Sequence, residues 1–294
     1  MRLFLTGATG YIGGAAAEVL RARGHELSGL ARSDASAGRL QTAGISVVRG
    51  DAGRIGEVAA AARAADGVVS MGSSYDPPVD ARAVDAILDA LAGSDKPFLY
   101  TSGIFAQGDT AGAVADEISP LNPAEFAAWR PAVDERVRAG AARGIRTVVI
   151  RPAIVYGRGG GIPAGFAESA RTEGAARFVG TGGNRWALVD VDDLADLYAL
   201  VLERAGAGTL FLAAHGPSHW VRDLAAAASR GAGAGGRTVG WPLAEARAEL
   251  GIYADALVLD YQASGARAKA LGWRPHRPDA LEDLERGSYV RPAA

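Results

Sequence analysis

The chain has 294 residues, 49% of them hydrophobic and 22% charged, which suits one large globular core or a core with a smaller appended lobe. Its 31 basic and 33 acidic residues are interspersed and leave a net charge of −2, so no basic field points to nucleic acid and no acidic tail to disorder. The absence of cysteine excludes disulfides, thiolate metal sites and a cysteine nucleophile.

The apolar opening Met1–Leu5 is too short for a signal peptide or a membrane span, so a cytoplasmic protein without membrane contact is expected. From there, short apolar runs alternate with longer Ala/Leu-rich segments, the pattern of βαβ units on a parallel sheet. Strands are predicted at Arg2–Thr6, Glu26–Ala31, Ser46–Arg49, Gly67–Met71, Phe98–Thr101 and Thr147–Arg151. Helices are predicted at Gly13–Ala22, Arg54–Ala64, Ala81–Leu91 and around Pro123–Arg143. After Arg151 the rhythm changes, and Pro152, Gly157–Gly161 and Pro163 predict a loop that leaves the sheet. A helix near Asp193–Arg204, a strand at Thr209–Ala213, a helix at Val221–Ala228 and a loop at Gly231–Gly236 follow. The expected fold class is α/β, a Rossmann-type doubly wound parallel sheet with a small, interleaved C-terminal substrate lobe. Residues 1–157 would form the dinucleotide-binding domain, with sheet elements returning at about 187–215. Residues 158–186 and 216–294 would form the lobe.

The strongest local signal is Thr6-Gly7-Ala8-Thr9-Gly10-Tyr11-Ile12-Gly13, between the first strand and the first helix. Gly7 allows the tight turn, Gly10 lets the backbone approach a pyrophosphate, and Gly13 permits close helix–strand packing. The helix N-terminus then faces the phosphates. Beyond the second strand stands Arg32-Ser33-Asp34. An acidic residue there would hold the ribose hydroxyls of NAD(H), whereas an arginine suits the 2′-phosphate of NADP(H). Arg32, with the Ser33 hydroxyl beside it, makes NADP(H) the expected cofactor; Asp34 keeps NAD(H) as the less favoured alternative. Asp51-Ala52, after the third strand, could meet the adenine amino group, or Asp51 could cap the next helix.

These residues resemble the opening of the extended and atypical short-chain dehydrogenases, the NAD-dependent epimerase/dehydratase group. The resemblance runs nearly the whole chain. Asp51 matches that family's adenine-contacting aspartate and Tyr100-Thr101-Ser102-Gly103 its fifth-strand segment. Arg151-Pro152-Ala153-Ile154-Val155-Tyr156-Gly157 matches its Arg-Pro…Tyr-Gly motif, and Val189–Ala195 and Leu271–Pro275 two later landmarks. The resemblance implies a Rossmann domain, a C-terminal substrate domain and hydride transfer at nicotinamide. The expected cofactor contacts are Thr6, Gly7, Thr9, Gly10, Tyr11, Ile12, Gly13, Arg32, Ser33, Asp51, Ala52 and Thr101.

The chain departs from the family at its chemistry. The family uses a Ser/Thr and a Tyr-x-x-x-Lys pair, in which tyrosine is the acid/base and lysine lowers its pKa while binding ribose. The only lysines are Lys96 and Lys269, and four residues before them stand Ala92 and Gly265. In the matching segment, Trp129 falls at or beside the tyrosine position and Pro131 or Val133 near the lysine. The hydroxyl position falls on Gly103 or Ile104, unless Ser102 substitutes. Surrogate acids are Tyr156, Tyr75, Asp76 and Ser102, against plainer readings: packing for Tyr156 and turn chemistry for Asp76 before proline. Trp129 could stack on a substrate, and Arg185-Trp186 could line an anionic or aromatic one.

No metal site assembles from the sequence. His215 and His219 are separated by Gly216-Pro217, which prevents a regular helix from presenting both. The nucleophile elbow of a Ser-His-Asp hydrolase is also absent. The leading expectation is an NADP(H)-dependent oxidoreductase acting on a small carbonyl or imine, with Ser102, Trp129 and Tyr156 as the catalytic candidates. The alternatives are a non-catalytic NADP(H)-binding sensor or regulator and a non-redox isomerase or cyclase. A homodimer through surface helices is a fold-level analogy.

Overall fold

The computed structural model describes residues 1–277 and 279–290. Pro278 and residues 291–294, which fall within the expected C-terminal lobe, lie outside the described residues. The first half runs β1 (Arg2–Thr6), α1 (Tyr11–Ala22), β2 (Glu26–Ala31), α2 (Asp34–Thr42), β3 (Ser46–Arg49) and α3 (Ile55–Ala64). It continues through β4 (Gly67–Ser70), α4 (Pro77–Leu91), β5 (Pro97–Thr101), the short α5 (Ile104–Gln107), α6 (Arg130–Ala139) and β6 (Arg146–Pro152). Then come β7 (Ile154–Tyr156), α7 (Ala164–Glu173), β8 (Ala176–Val179), β9 (Arg185–Asp190), α8 (Val191–Arg204), β10 (Thr209–Ala213) and β11 (His215–Trp220). The described chain closes with α9 (Val221–Gly231), β12 (Thr238–Trp241), α10 (Leu243–Leu250), α11 (Tyr253–Ala256), α12 (Ala266–Leu271) and α13 (Ala280–Arg286).

Seven strands form one parallel sheet in the order β10-β6-β5-β4-β1-β2-β3. The order reverses between β1 and β4, and ligands of open α/β sheets bind in the crevice such a reversal leaves at the strands' C-terminal ends. Helices cover both faces, so Leu3, Phe4 and Leu5 on β1 and Phe98 and Leu99 on β5 are all buried. Ala15, Ala16 and Ala17 on α1 are buried too, and these small side chains let α1 lie close against α8.

Within residues 187–215, only β10 rejoins the large sheet. β9 pairs with β7 and β11 in a separate three-stranded sheet, and β8 with β12 in a two-stranded one. One hydrophobic cluster runs from Leu3 to Tyr289 and includes Trp186, Tyr198 and Trp273, so the later elements share the core of the sheet. No helix among the described residues is long and apolar enough to cross a membrane.

Candidate functional site

The turn after β1 is shaped by its glycines. Gly7 has φ +75°, and a Cβ there would lie 2.5 Å from the Gly72 nitrogen. At Gly13 a Cβ would lie 2.1 Å from the Gly7 oxygen. Both positions are therefore closed by the protein's own backbone. Gly10 differs: only the Gly7 oxygen, at 3.2 Å, stands near a Cβ there, and the residue is exposed. Its bare backbone is open on the outer side, at the N-cap of α1, where no side chain caps the helix. A pyrophosphate fits this cradle, with the first amides of α1 pointing at it. Thr6 and Thr101 flank it at the ends of β1 and β5, their hydroxyls hydrogen-bonded to Ser70 (3.0 Å) and Tyr198 (2.5 Å); Thr9 is half-buried in the turn.

Tyr11 and Ile12 continue the turn into a neighbouring cavity. The Tyr11 ring lies against Gly160, where a Cβ would come within 2.5 Å of it, and its hydroxyl donates to the Gly157 carbonyl at 2.7 Å. The Tyr289 hydroxyl donates to the Gly160 carbonyl (2.6 Å) and accepts from the Gly157 amide (2.9 Å). The Gly157–Gly161 loop is thus tied to α1.

At the other end of the turn, Arg32 follows β2, exposed and without an ion pair or hydrogen bond among the described residues. Ser33 caps α2 in a capping box with Ser36. The Asp34 carboxylate, the group that would favour NAD(H), lies 2.8 Å from the Arg49 guanidinium. Asp51 is exposed and accepts from the Gly53 amide at 2.7 Å; the N-cap of α3 is Arg54, so Asp51 forms a turn rather than the cap. Ala52 beside it is half-buried.

The cavity has a volume of about 600 Å³ and is walled by Tyr11, Ile12, Ile104, Phe105, Phe126, Pro152, Ile154, Val155, Ile162 and Tyr253, with Tyr75, Ser102, Gly103 and Arg130 among its polar or open positions. Ser102 follows β5 and donates its hydroxyl to Asp134 Oδ2 at 3.0 Å. Arg151 Nε reaches the same oxygen at 2.8 Å, and Arg151 Nη1 donates to Gln107 Oε1 at 3.0 Å. Burial pushes the Asp134 carboxyl up, against the pull of Arg151 and Ser102. With its proton directed to Asp134, Ser102 offers the cavity an acceptor oxygen.

The expected catalytic residues do not all meet there. Tyr156 is 3% exposed and lines a different, smaller pocket of about 220 Å³ with His215, His219 and Asp279. Burial raises its pKa, which weakens it as an acid. Trp129 is the N-cap of α6 and packs against the core under β4 and β5, outside the cavity wall. Trp186 is buried against Phe166, and Arg185 lies over the Trp220 ring at 4.0 Å. Asp76 caps α4 through the Val79 amide. Tyr75, at φ +58° and 77% exposed, stands at the cavity rim.

His215 and His219 share a pocket on β11, whose pairing with β9 is irregular between them; His219 Nε2 is 2.9 Å from Asp279 Oδ2. Among the described residues, Asp193, Asp196 and His276 come close enough to suit a cation. Asp193, however, is taken up by the backbone amides of His276 and Arg277, each at 3.0 Å.

The sequence model of the NAD dependent epimerase/dehydratase family matches residues 3–213, and the chain belongs to that family. It is 31% identical to an uncharacterized protein of Saccharomyces cerevisiae, over 98% of this chain and 99% of that one. It is 29% identical to a 2-alkyl-3-oxoalkanoate reductase of Stenotrophomonas maltophilia, over 76% of this chain and 73% of the relative. Among solved structures, the UDP-glucose 4-epimerase of Thermus thermophilus in complex with NAD superposes with a TM-score of 0.80 at 22% identity, covering all of both chains. An enzyme with a nicotinamide dinucleotide is the coarse reading these relatives support.

Within the segment before β6, the residues that face the cavity are Phe126 and Arg130, spaced as tyrosine and lysine are in Tyr-x-x-x-Lys. Trp129 and Val133, expected at those positions, turn toward the core, where Val133 is 4% exposed. A ring without a hydroxyl and a guanidinium thus face the cavity at that spacing. Gly103 lines the same cavity with extended backbone, and a Cβ there would meet nothing within 4 Å. Tyr253 was not among the expected site residues. It reaches the wall from α11 in an edge-on cluster with Phe105 and Phe126, a contact made across 127 residues of sequence.

Proposed function

We propose that this protein is an NADP(H)-dependent oxidoreductase of the atypical short-chain type, moving a hydride to or from a small carbonyl or imine substrate in the cytoplasm. The observation that carries the reading is the open cradle at Gly10, with the unpaired Arg32 at one end and the 600 Å³ cavity at the other. Bound NADP(H) would supply or accept the hydride. Gly7, Gly10 and Gly13 bring backbone amides to its pyrophosphate, while Arg32 and Ser33 receive the 2′-phosphate. Asp51 and Ala52 meet the adenine; Thr6, Thr9, Tyr11, Ile12 and Thr101 line the path to the cavity. The ion pair of Arg49 with Asp34 supports NADP(H), because it neutralises the carboxylate that would otherwise repel a 2′-phosphate.

The cavity holds substrate against the nicotinamide, which supplies the proximity hydride transfer needs. Ser102 accepts a hydrogen bond from a substrate N–H or O–H. With Phe126 lacking a hydroxyl, a substrate that arrives protonated, such as an iminium, suits the site best. The reductase name of the Stenotrophomonas relative supports redox chemistry at a carbonyl.

The test is isotopic. Deuterium at the transferring position of NADPH is expected in the product when the protein is incubated with a panel of carbonyls and imines. Turnover that persists after the cofactor is stripped would instead identify an isomerase or cyclase. Phe126 also favours a second reading, a non-catalytic NADP(H)-binding regulator. It predicts tight binding with no label transferred to any substrate.

A further inference from the structure

We infer that Tyr253 binds the substrate, its hydroxyl donating to the oxygen of a neutral carbonyl whose apolar body lies against Phe105 and Phe126; this rests on the oxidoreductase reading of the cavity. Tyr253 reaches the wall from α11, half-buried, with its ring centre 6.1 Å from that of Phe105 and 5.2 Å from that of Phe126. Both contacts are edge-on, and they hold the ring in place. Its hydroxyl forms no hydrogen bond among the described residues, and the oxygen is open rather than sealed in the core. Burial, with the neighbouring Tyr75 hydroxyl adding to it, pushes its pKa up to about 12, so near neutral pH it keeps its proton and acts as a donor.

The other proton-bearing side chains among the wall's described residues are committed or hydrated. Tyr11 donates to the Gly157 carbonyl, and Ser102 to Asp134. Arg130 is drawn toward the Asp134 carboxyl and, at the spacing of the family's ribose-binding lysine, falls to the cofactor. Tyr75 stands exposed at the rim, where water satisfies its hydroxyl. Tyr253 is therefore the sheltered hydroxyl on this wall whose proton has no acceptor among the described residues. A donor half-buried among rings is incompletely hydrated, and a ligand acceptor relieves it.

One donor on a wall of rings and methyl groups matches one acceptor on an apolar body. A nucleotide sugar would bring many hydroxyls to Ile104, Phe105, Phe126 and Tyr253 and leave most of them unpaired. A ketone carried by an aryl or alkyl group brings a single oxygen and buries the rest. Such a carbonyl finds at Tyr253 the hydrogen bond that Phe126 cannot offer. The dinucleotide enters from the turn after β1, which Tyr11 and Ile12 join to the cavity, whereas Tyr253 comes from the C-terminal part of the chain. The two occupants thus draw on different elements.

The test reads binding and needs no turnover. The protein, with and without NADP+, is titrated calorimetrically with 4-phenylbutan-2-one and with the analogue in which a methylene group replaces the oxygen. Tyr253→Phe should weaken the ketone roughly three- to tenfold, the worth of one hydrogen bond, and leave the analogue and NADP+ within about twofold of the wild type. In isotope-edited infrared spectra, the carbonyl stretch of the bound ketone should lie at lower frequency in the wild type than in Tyr253→Phe, a signature that a merely structural role would not move. An unchanged stretch, equal weakening of ketone and analogue, binding of neither by the wild type, or weakened NADP+ would overturn the assignment. A stretch that depends on Tyr253 alongside failed deuterium transfer would instead sink the redox reading and leave this site standing.

Discussion

Asp190 begins α8, 6% exposed, with Oδ1 accepting from the amides of Asp192 (2.7 Å) and Asp193 (3.3 Å). Burial pushes its carboxyl up to about 6, and the charges of Asp192 and Asp193 add to the rise, against the pull of those two amides. A carboxyl whose pKa is raised on folding binds its proton more tightly in the folded state. Its contribution is therefore complete below the ordinary carboxylate pKa and is lost as pH climbs through about 6. The wild type should lose roughly 2–3 kcal/mol from this group between pH 4 and pH 7, read from urea midpoints. Asp190→Asn, which keeps an acceptor for the amides, should flatten that slope; an unchanged slope would show that Asp190 does not titrate in this range. The site was unevenly legible at this scale. Gly7 and Gly13 announce themselves because backbone sterics leave no other residue type, and Gly10 completes their spacing. Phe126 and Arg130 were hidden because the irregular backbone of their segment decides which side chains face the cavity, and composition does not register it.

α6 begins later than the sequence predicts. The segment from Pro123 reads as one helix, yet residues 123–129 form only a single 3₁₀ turn at Glu125–Ala127. Regular helix starts at Arg130 because Pro131 lacks an amide and is tolerated only in the first turn. The seven strands of the large sheet were readable to within a residue, because most are buried and apolar, whereas β7, β8, β9, β11 and β12 were not predicted. α2 was missed because Asp34–Thr42 buries only Ser36, Ala37 and Leu40, and its capping box closes with serine instead of glutamate. α6 also carries the buried Asp134 against Arg151, with side-chain exposures of 2% and 5%. Asp134→Ala strands that guanidinium and should cost about 3–5 kcal/mol in urea unfolding; Asp134→Ala with Arg151→Met should recover most of it. If the single substitution is silent, the pair is not buried in solution.

At the scale of the whole molecule, the dinucleotide-binding half is not self-sufficient. α1 packs on α8, β10 closes the sheet against β6, and one hydrophobic cluster joins Leu3 to Leu284. A chain cut after Gly157 would expose these surfaces and should show no cooperative thermal transition, while the full chain unfolds in one; a cooperative 1–157 fragment would refute the shared core. Sequence periodicity revealed the parallel sheet but not this sharing, because the sheet elements expected at about 187–215 carry no mark of their partners, and β9 pairs with β7 and β11 outside the large sheet. We propose that this shared scaffold holds NADP(H) along the turn after β1, with Arg32 on the 2′-phosphate. It is tested most directly by fluorescence titration of the cofactor-free protein with NADPH and with NADH. The account predicts NADPH binding at least about tenfold tighter, and Arg32→Ala abolishing the difference, as loss of a charge-assisted phosphate contact should. Equal affinity for the two nucleotides, or binding of neither, would contradict it.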